Sequence, residues 1–561
     1  MSAFFRATAL LVACAGAAGV ALVPPRRADV QWRVDGSARE PISRYIYGLN
    51  FAESRSAWGA DVPRGITLSR MGGNRLSAYN WETNASNCGN DCNANFNNDG
   101  YLGGGAVPGE AVRSRAAWAA SHGAAFLATV PMLGFVAGDS AGAMSLATPV
   151  TARRANRFVI SRARKGAPPA AVPNVRDGLV HQDEFVAFLE RAFPAAERRA
   201  ETPLWYSLDN EPDIWGSTHE AIRGNCAGPG RCVLTGYDEL ADLGIEYASA
   251  VKGVAPAALV FGPVLTNWNG FTNLFHNDTP DPAGRQFYLA YYLNRMRAAE
   301  QAAGRRLLDV LDVHWYAEAV SARSQSVANE WAEQDEDMIQ ARVQAPRSLW
   351  DPGYRERSWV TRVTLGPIRL IPRLRELIAQ HYPGTRIAIT EYFYHRGGDI
   401  SGALAQADAL GIFGREGVFA ATLWPQGSRW AYKGNLEQSY ACVFAAFRAF
   451  RDYDGHGAAF GDISLGTTNP DVERTSVYAS VDAAQPRRMV VVALNKSAAD
   501  VAAKVTLANA PAVEAAAAWR VTGTVGRCTG PVAVTPDPVV SQDTVALTLP
   551  PLSITTLVLN P

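Results

Sequence analysis

Two glutamates carry the chemistry that can be read from this chain. Glu211 closes the run Leu204-Trp205-Tyr206-Ser207-Leu208-Asp209-Asn210-Glu211-Pro212, and Glu391 stands within Arg386-Ile387-Ala388-Ile389-Thr390-Glu391-Tyr392-Phe393-Tyr394. Each run is apolar, rich in aromatic or β-branched residues and too short for an ordinary helix, so each reads as a buried strand. Pro212 ends the first, because proline cannot donate to a sheet ladder. Both carboxylates therefore fall where a buried strand meets its exit loop. A carboxylate against apolar surface is costly unless it has a partner or a task. One such glutamate is more often an ion-pair partner or a helix cap than a catalyst. Two of them are what glycoside hydrolysis requires, one as acid and one as base or nucleophile.

The elements that must position this pair follow a regular pattern. Strand candidates lie at 45–51, 66–70, 125–130, the Glu211 run, 259–264, 311–316, the Glu391 run and 419–425. Apolar residues at helical spacing occupy 110–122, 183–193, 237–254, 284–303, 367–380, 401–415 and 437–451. Strands alternating with helices predict an α/β fold, a (β/α)8 TIM barrel, whose active face is built at the C-terminal strand ends. Both glutamates stand at such ends, on the fourth and seventh strands, which face each other across the mouth of a closed barrel. Three long connections, 74–109, 132–183 and 317–366, follow C-terminal strand ends and are expected to wall a cleft. The acidic patch from Glu330 to Asp337 in the third reads as a solvated face.

Other strand-end residues qualify as site candidates. The Asn210 amide can bond a sugar hydroxyl. Acid and nucleophile need unlike surroundings, and Arg70, His314, Tyr316 and Tyr392 are placed to create them, although His314 and Tyr392 could equally be buried and satisfied. Trp424 is a candidate sugar platform, with a core position as its alternative.

After about Tyr453 the helical pattern stops. Short strands at 476–481, 489–494, 501–507, 517–523 and 544–559 predict a second, smaller all-β sandwich domain. The expected division is a leader at 1–28, a segment at 29–44 whose strand joins the sandwich, the barrel at 45–455 and the sandwich at 456–561. At 561 residues the chain is too long for one ordinary domain.

Lys+Arg and Asp+Glu are each 53, so the basic surplus that a nucleic-acid or anionic-membrane partner demands is missing and a neutral substrate is expected. Arg6 followed by the apolar stretch 7–23 and Pro24-Pro25-Arg26-Arg27 reads as an export signal, with a lipoprotein anchor at Cys14 as the alternative. Beyond it stand Cys88, Cys92, Cys226, Cys232, Cys442 and Cys528, an even set that in an exported protein points to disulfides. The pairs Cys88/Cys92 and Cys226/Cys232 could each staple a loop, leaving Cys442 and Cys528 to pair across domains or stay free. A zinc site is the rival, but the spacings are not finger-like and no histidine pair accompanies them.

The chain resembles glycoside hydrolase family 44, endo-acting β-1,4-glucanases and xyloglucanases with a barrel and a β-sandwich. The resemblance runs through Tyr47-Gly48-Leu49-Asn50-Phe51-Ala52, Arg70-Met71-Gly72-Gly73-Asn74-Arg75, Tyr79-Asn80-Trp81-Glu82 and Ala85-Ser86-Asn87. It continues in Ser207-Leu208-Asp209-Asn210-Glu211-Pro212, Asp312-Val313-His314-Trp315-Tyr316, Ala341-Arg342-Val343-Gln344-Ala345-Pro346-Arg347 and Thr390-Glu391-Tyr392. It implies Glu211 as acid/base, Glu391 as nucleophile and retention of anomeric configuration, and it adds Trp81 as a substrate-binding candidate. The pair Cys88/Cys92 departs from the expected pattern of that rim. The resemblance implies no cofactor for the chemistry and is compatible with a structural calcium. The loop holding Asp91, Asn93, Asn95 and Asp99 lacks the glycine and terminal glutamate of an EF-hand, and no metal ligands are assigned.

The expectation is a secreted, monomeric enzyme that cleaves β-glucan such as xyloglucan or soluble cellulose. An endo-β-1,4-mannanase or xylanase on the same scaffold and a non-catalytic polysaccharide-binding protein are the alternatives. A metal-dependent barrel hydrolase would need clustered strand-end histidines, and the first strand has none.

Overall fold

A computed structural model describes residues 28–561 apart from 54–61, 94, 225–233, 276–286, 425–434 and 525–526. The leader, Cys14 and the pair Cys226/Cys232 lie outside the described residues, except that the last leader position is included.

Eight parallel strands close into a barrel: Gly48–Asn50, Leu68–Met71, Ala125–Val130, Leu204–Leu208, Val260–Leu265, Val310–Tyr316, Arg386–Phe393 and Ala420–Leu423. The apolar runs form these strands because both faces are covered, which removes the need for alternation. The end of the barrel opposite the glutamates is plugged by aromatics. The Trp205 ring lies 4.6 Å from Tyr45, 5.6 Å from Phe261 and 5.4 Å from Phe419. Such contacts contribute about 0.5–1.5 kcal/mol each beyond area burial, so this end is packed shut. The opposite mouth is polar, with Asn50, Arg70, Asp209, Asp312, Thr390 and Thr422 all buried there.

The predicted helices are present, among them Glu110–Ser121, Gln182–Ala192, Tyr237–Val254, Leu370–His381, Ile400–Arg415 and Leu436–Arg451. The long connections fold into small elements of their own. The first contains the paired strands Ser86–Asn87 and Asn98–Asp99, and the second a sheet of Phe135–Ala137, Phe158–Arg162 and Leu179–His181. In the third, part of the acidic patch departs from the solvated reading. Glu330 is buried and accepts from the Arg396 amide, while Asp335 caps the helix Glu336–Gln344 through the Met338 amide.

The second domain is one ten-stranded sheet curled around its own core. Val30–Pro41 lies in its middle, antiparallel to Ile463–Thr468 and parallel to Val501–Ala508. Three of its strands were not expected: Ile463–Thr468, Arg527–Ala533 and Val539–Ser541. The run 544–559 divides into Thr544–Leu549 and Ser553–Asn560 around Pro550-Pro551, where the ladder lacks amide donors. This sheet packs directly on the last two barrel helices. Tyr478 donates to Asp408 at 2.6 Å, and Thr556 donates to the Ala449 carbonyl at 2.7 Å. Gly411 permits the approach, since a Cβ there would come within 2.2 Å of the Tyr478 ring. A Cys442–Cys528 disulfide joins helix to sheet.

Candidate active site

Glu211 follows the fourth strand on a turn, not on the strand itself. Its φ of 45° and ψ of 54° are left-handed, a conformation that costs a non-glycine residue on the order of 1 kcal/mol or more and persists only where the surroundings impose it. Its amide donates to the Val264 carbonyl at 2.9 Å, tying the turn to the fifth strand. That strand, the sixth and the seventh each carry a register irregularity near the mouth, between Pro263 and Leu265, Val313 and His314, and Ile389 and Tyr392. Such bulges re-aim side chains beside a site.

The two carboxylates converge. Glu211, His314 and Glu391 each place one ligand atom within 4.8 Å of the others. His314 Nδ1 lies 2.9 Å from Glu211 Oε1 and 3.6 Å from Glu391 Oε2. This trio could hold a metal ion. The Arg70 guanidinium, 2.7 Å from Glu391 Oε1, already supplies positive charge there and opposes a cation.

The surroundings of the two acids differ. Each Glu391 oxygen has its own donor, Arg70 Nη1 on Oε1 and the Tyr316 hydroxyl on Oε2, both at 2.7 Å. Two donors, one cationic, suit a carboxylate anion. Among the described residues, Glu211 has no cation in contact. Burial pushes its carboxyl above the usual range, only partly offset by the Thr266 hydroxyl at 2.7 Å and the more distant Arg70. Burial also pulls the His314 imidazole down to about 3, so the ring is neutral. Its Nε2 has no hydrogen-bond partner among the described residues, which assigns the proton to Nδ1. His314 and Thr266 then both donate to Glu211 Oε1. Oε2 has no protein hydrogen bond among the described residues.

Arg70 is the hub of the mouth. Fully buried, it also donates to Asn50 Oδ1 at 2.9 Å and to Asn210 Oδ1 at 2.8 Å. Asn210 Oδ1 accepts in addition from the Gly73 amide at 3.0 Å. Gly73 has a φ of 83°, and a Cβ there would come within 2.7 Å of the Trp424 ring. Trp424 is half-buried beside that turn and packs edge-on against Phe51 at 5.7 Å. Behind the site, burial pushes Asp312 up to about 7 against the opposing pull of Arg70 and two bonds from Thr390.

The structure thus brings Arg70, Asn210, Glu211, His314, Tyr316, Glu391 and Trp424 to one mouth. Two candidates stand elsewhere. Tyr392 points out of the barrel, because neighbouring strand residues face opposite ways; its ring packs on Phe413 at 5.0 Å and its hydroxyl accepts from Gln406 at 2.7 Å. Trp81 is sealed in the core of the rim, stacked on Phe185 at 6.3 Å and donating to the His181 carbonyl at 3.2 Å. Asn50 and Thr266 were not anticipated, although Asn50 ends the first strand as Glu211 follows the fourth. In the Asn/Asp loop several of the described oxygens already have protein partners. Asp91 accepts from Asn74, both oxygens of Asp99 are taken by Arg75, and Asn98 Oδ1 accepts from Asn87.

A closed parallel barrel with paired carboxylates at its C-terminal mouth defines the build of a barrel glycosidase. The model of glycoside hydrolase family 44 matches residues 85–319. Endoglucanase A of Paenibacillus lautus is 35% identical over 537 residues, spanning 93% of this chain and 71% of that protein. A family 44 xyloglucanase from Paenibacillus polymyxa, solved with xyloglucan, superposes with a TM-score of 0.82 at 33% identity, covering 95% of this chain and 99% of that one. A family 44 endoglucanase produced by Clostridium acetobutylium ATCC 824 gives 0.83 at 31% identity with the same coverage. The chain belongs to glycoside hydrolase family 44 and is a glycoside hydrolase.

Proposed function

We propose that the protein is an exported, retaining endo-β-1,4-glucanase acting on xyloglucan and soluble cellulose. The observation that carries this reading is the convergence of Glu211 and Glu391 within 4.8 Å in unlike surroundings. Retaining glycosidases hold their carboxyl groups about 5 Å apart, whereas inverting ones leave room for a water between them.

In the first step Glu391 attacks the anomeric carbon while Glu211 gives its proton to the departing glycosidic oxygen. Glu391 loses its negative charge as the bond to the anomeric carbon forms, and the donors Arg70 and Tyr316 stabilise the Glu391 carboxylate that is restored when the intermediate breaks. In the second step Glu211, now ionised, takes a proton from the incoming water, which displaces Glu391. Neutral His314 holds Glu211 Oε1 throughout without competing for the proton. Trp424 supplies a ring face for a sugar. The chemistry needs no cofactor. The endo mode and the β-glucan backbone are supported by the endoglucanase and xyloglucanase relatives. Export is supported by the disulfides Cys88–Cys92 and Cys442–Cys528, which persist in oxidising compartments.

The test is digestion of defined β-glucan, xyloglucan, mannan and xylan with proton NMR of the first products. The β-anomer should appear first, in mid-length fragments from glucan backbones, and Glu391→Gln should abolish turnover while binding survives. First appearance of the α-anomer, or turnover retained in Glu391→Gln, overturns the mechanism. Release of terminal sugars only overturns the endo mode, and preference for mannan or xylan overturns the substrate.

A further inference from the structure

Asp91 takes no part in the chemistry just described, yet it is built into the same mouth. It ends the short turn Gly89–Asp91, which the Cys88–Cys92 disulfide closes. The turn rests on Trp215–Thr218, the helix that leaves Glu211-Pro212-Asp213-Ile214: Asn90 Nδ2 donates to the Ser217 carbonyl at 3.2 Å. Asp91 Oδ1 accepts from Asn74 Nδ2 at 2.9 Å. Asn74 Oδ1 in turn accepts from Asn210 Nδ2 at 3.4 Å, and the Asn74 carbonyl lies 2.9 Å from His219 Nε2. A row of amides therefore runs from Asp91 to the residue preceding Glu211. Asp91 keeps exposed surface, and its second oxygen has no protein hydrogen bond among the described residues.

From this geometry we infer that Asp91 is a positioning residue for Glu211. It orients Asn210 through Asn74 and sets a negative charge on the acid's side of the cleft, which helps keep Glu211 a proton donor. The inference rests on the reading of Glu211 as the acid. The Glu211 charge reaches Asp91, and the converse effect of Asp91 on Glu211 is part of the inference. Crowding by the rim pushes Asp91 up, Asn74 opposes this, the neighbouring Glu211 adds to it and Arg75 opposes it. A nearby like charge disfavours ionisation of either acid. Among the described residues, the other groups facing Glu211 are His314 and Tyr316 from the sixth strand, Glu391 from the seventh, Arg70 from the second and Asp213 from its own exit turn. Asp91 is the one of these carried on a disulfide-closed rim loop, where it can be altered without entering the core.

The experiment is the pH profile of kcat/KM for the full chain and for Asp91→Asn, Asp91→Glu and Cys88→Ser/Cys92→Ser. Asp91→Asn should move the alkaline limb down by roughly half a pH unit to one unit and lower kcat by about 3–10-fold, with KM little changed. Asp91→Glu, which keeps the charge, should hold the limb near that of the parent. Loosening the turn in the double cysteine variant should move it in the same direction as Asp91→Asn. An unmoved limb in an Asp91→Asn protein that melts like the parent overturns the inference. Retained activity in Glu211→Gln would instead remove the acid reading on which it rests, so the two failures are told apart.

Discussion

Arg70 and Glu391 meet at 2.7 Å with side chains only 0% and 6% exposed. In a pair so enclosed the cost of desolvation offsets much of the Coulombic gain, but removing one partner strands a charge in low dielectric. Arg70→Met should therefore lower stability by about 3–5 kcal/mol and leave little activity. Glu391→Gln, which strands the cation but keeps the shape, should be destabilising to a smaller degree. Thermal melts and turnover on a soluble glucan check both. An Arg70→Met protein that melts with the parent would show that the pair is solvated in solution.

Two tryptophans should separate by their kinetics. Trp424→Ala should raise KM by about 2–12-fold, matching roughly 0.5–1.5 kcal/mol for a lost aromatic contact, with the melting temperature nearly unchanged. Trp81→Ala should cost about 3–5 kcal/mol of stability because its ring lies in the rim core. Any activity it retains at low temperature should show a near-parental KM.

Acid lability should be traceable to buried neutral histidines. Burial pulls His219 down to about 4, with the Asn74 carbonyl opposing, and His314 down to about 3. An unfolded histidine takes its proton near pH 6.5. Stability from these groups is thus complete above about pH 6.5 and falls as the pH drops toward 4 and then 3. For His219 the full loss is on the order of 3 kcal/mol. His219→Gln should flatten the decline of melting temperature between about pH 6.5 and 4. A slope equal to that of the parent would contradict the assignment.

The Cys442–Cys528 bridge closes a separation of 86 residues between the last barrel helix and the sheet. A loop of that size constrains the unfolded chain by up to about 4–5 kcal/mol in the entropic model. The double serine variant should melt several degrees lower, with kcat/KM at 25 °C close to that of the parent because the bridge is remote from the mouth. Calorimetry beside a kinetic assay reads both.

The barrel was legible because its strands are runs apolar on both faces, a pattern with few competitors at that length. The partners of the two glutamates were legible at strand ends, where residue type alone narrows the choice. What residue type does not say is which way a side chain points. Tyr392 follows Glu391 directly, and the period of two sends it outward to Gln406. Trp81 sits in a loop whose fold depends on Phe185 and Phe188, far along the chain. Thr266 was missed because the bulge after Pro263 carries the fifth strand beyond its expected end. The unexpected strands Arg527–Ala533 and Val539–Ser541 are largely exposed edge pieces whose composition reads as loop.

The position of Val30–Pro41 in the middle of the ten-stranded sheet has a consequence for assembly. Its neighbours on both sides are translated only after the whole barrel. The earliest of these strands to leave the ribosome must therefore wait with both edges unpaired, open to pairing with another chain. Until residues 463–508 arrive, the barrel is tethered to an unfinished sheet, so a C-terminal truncation would disable the strand at the opposite end of the polypeptide as well.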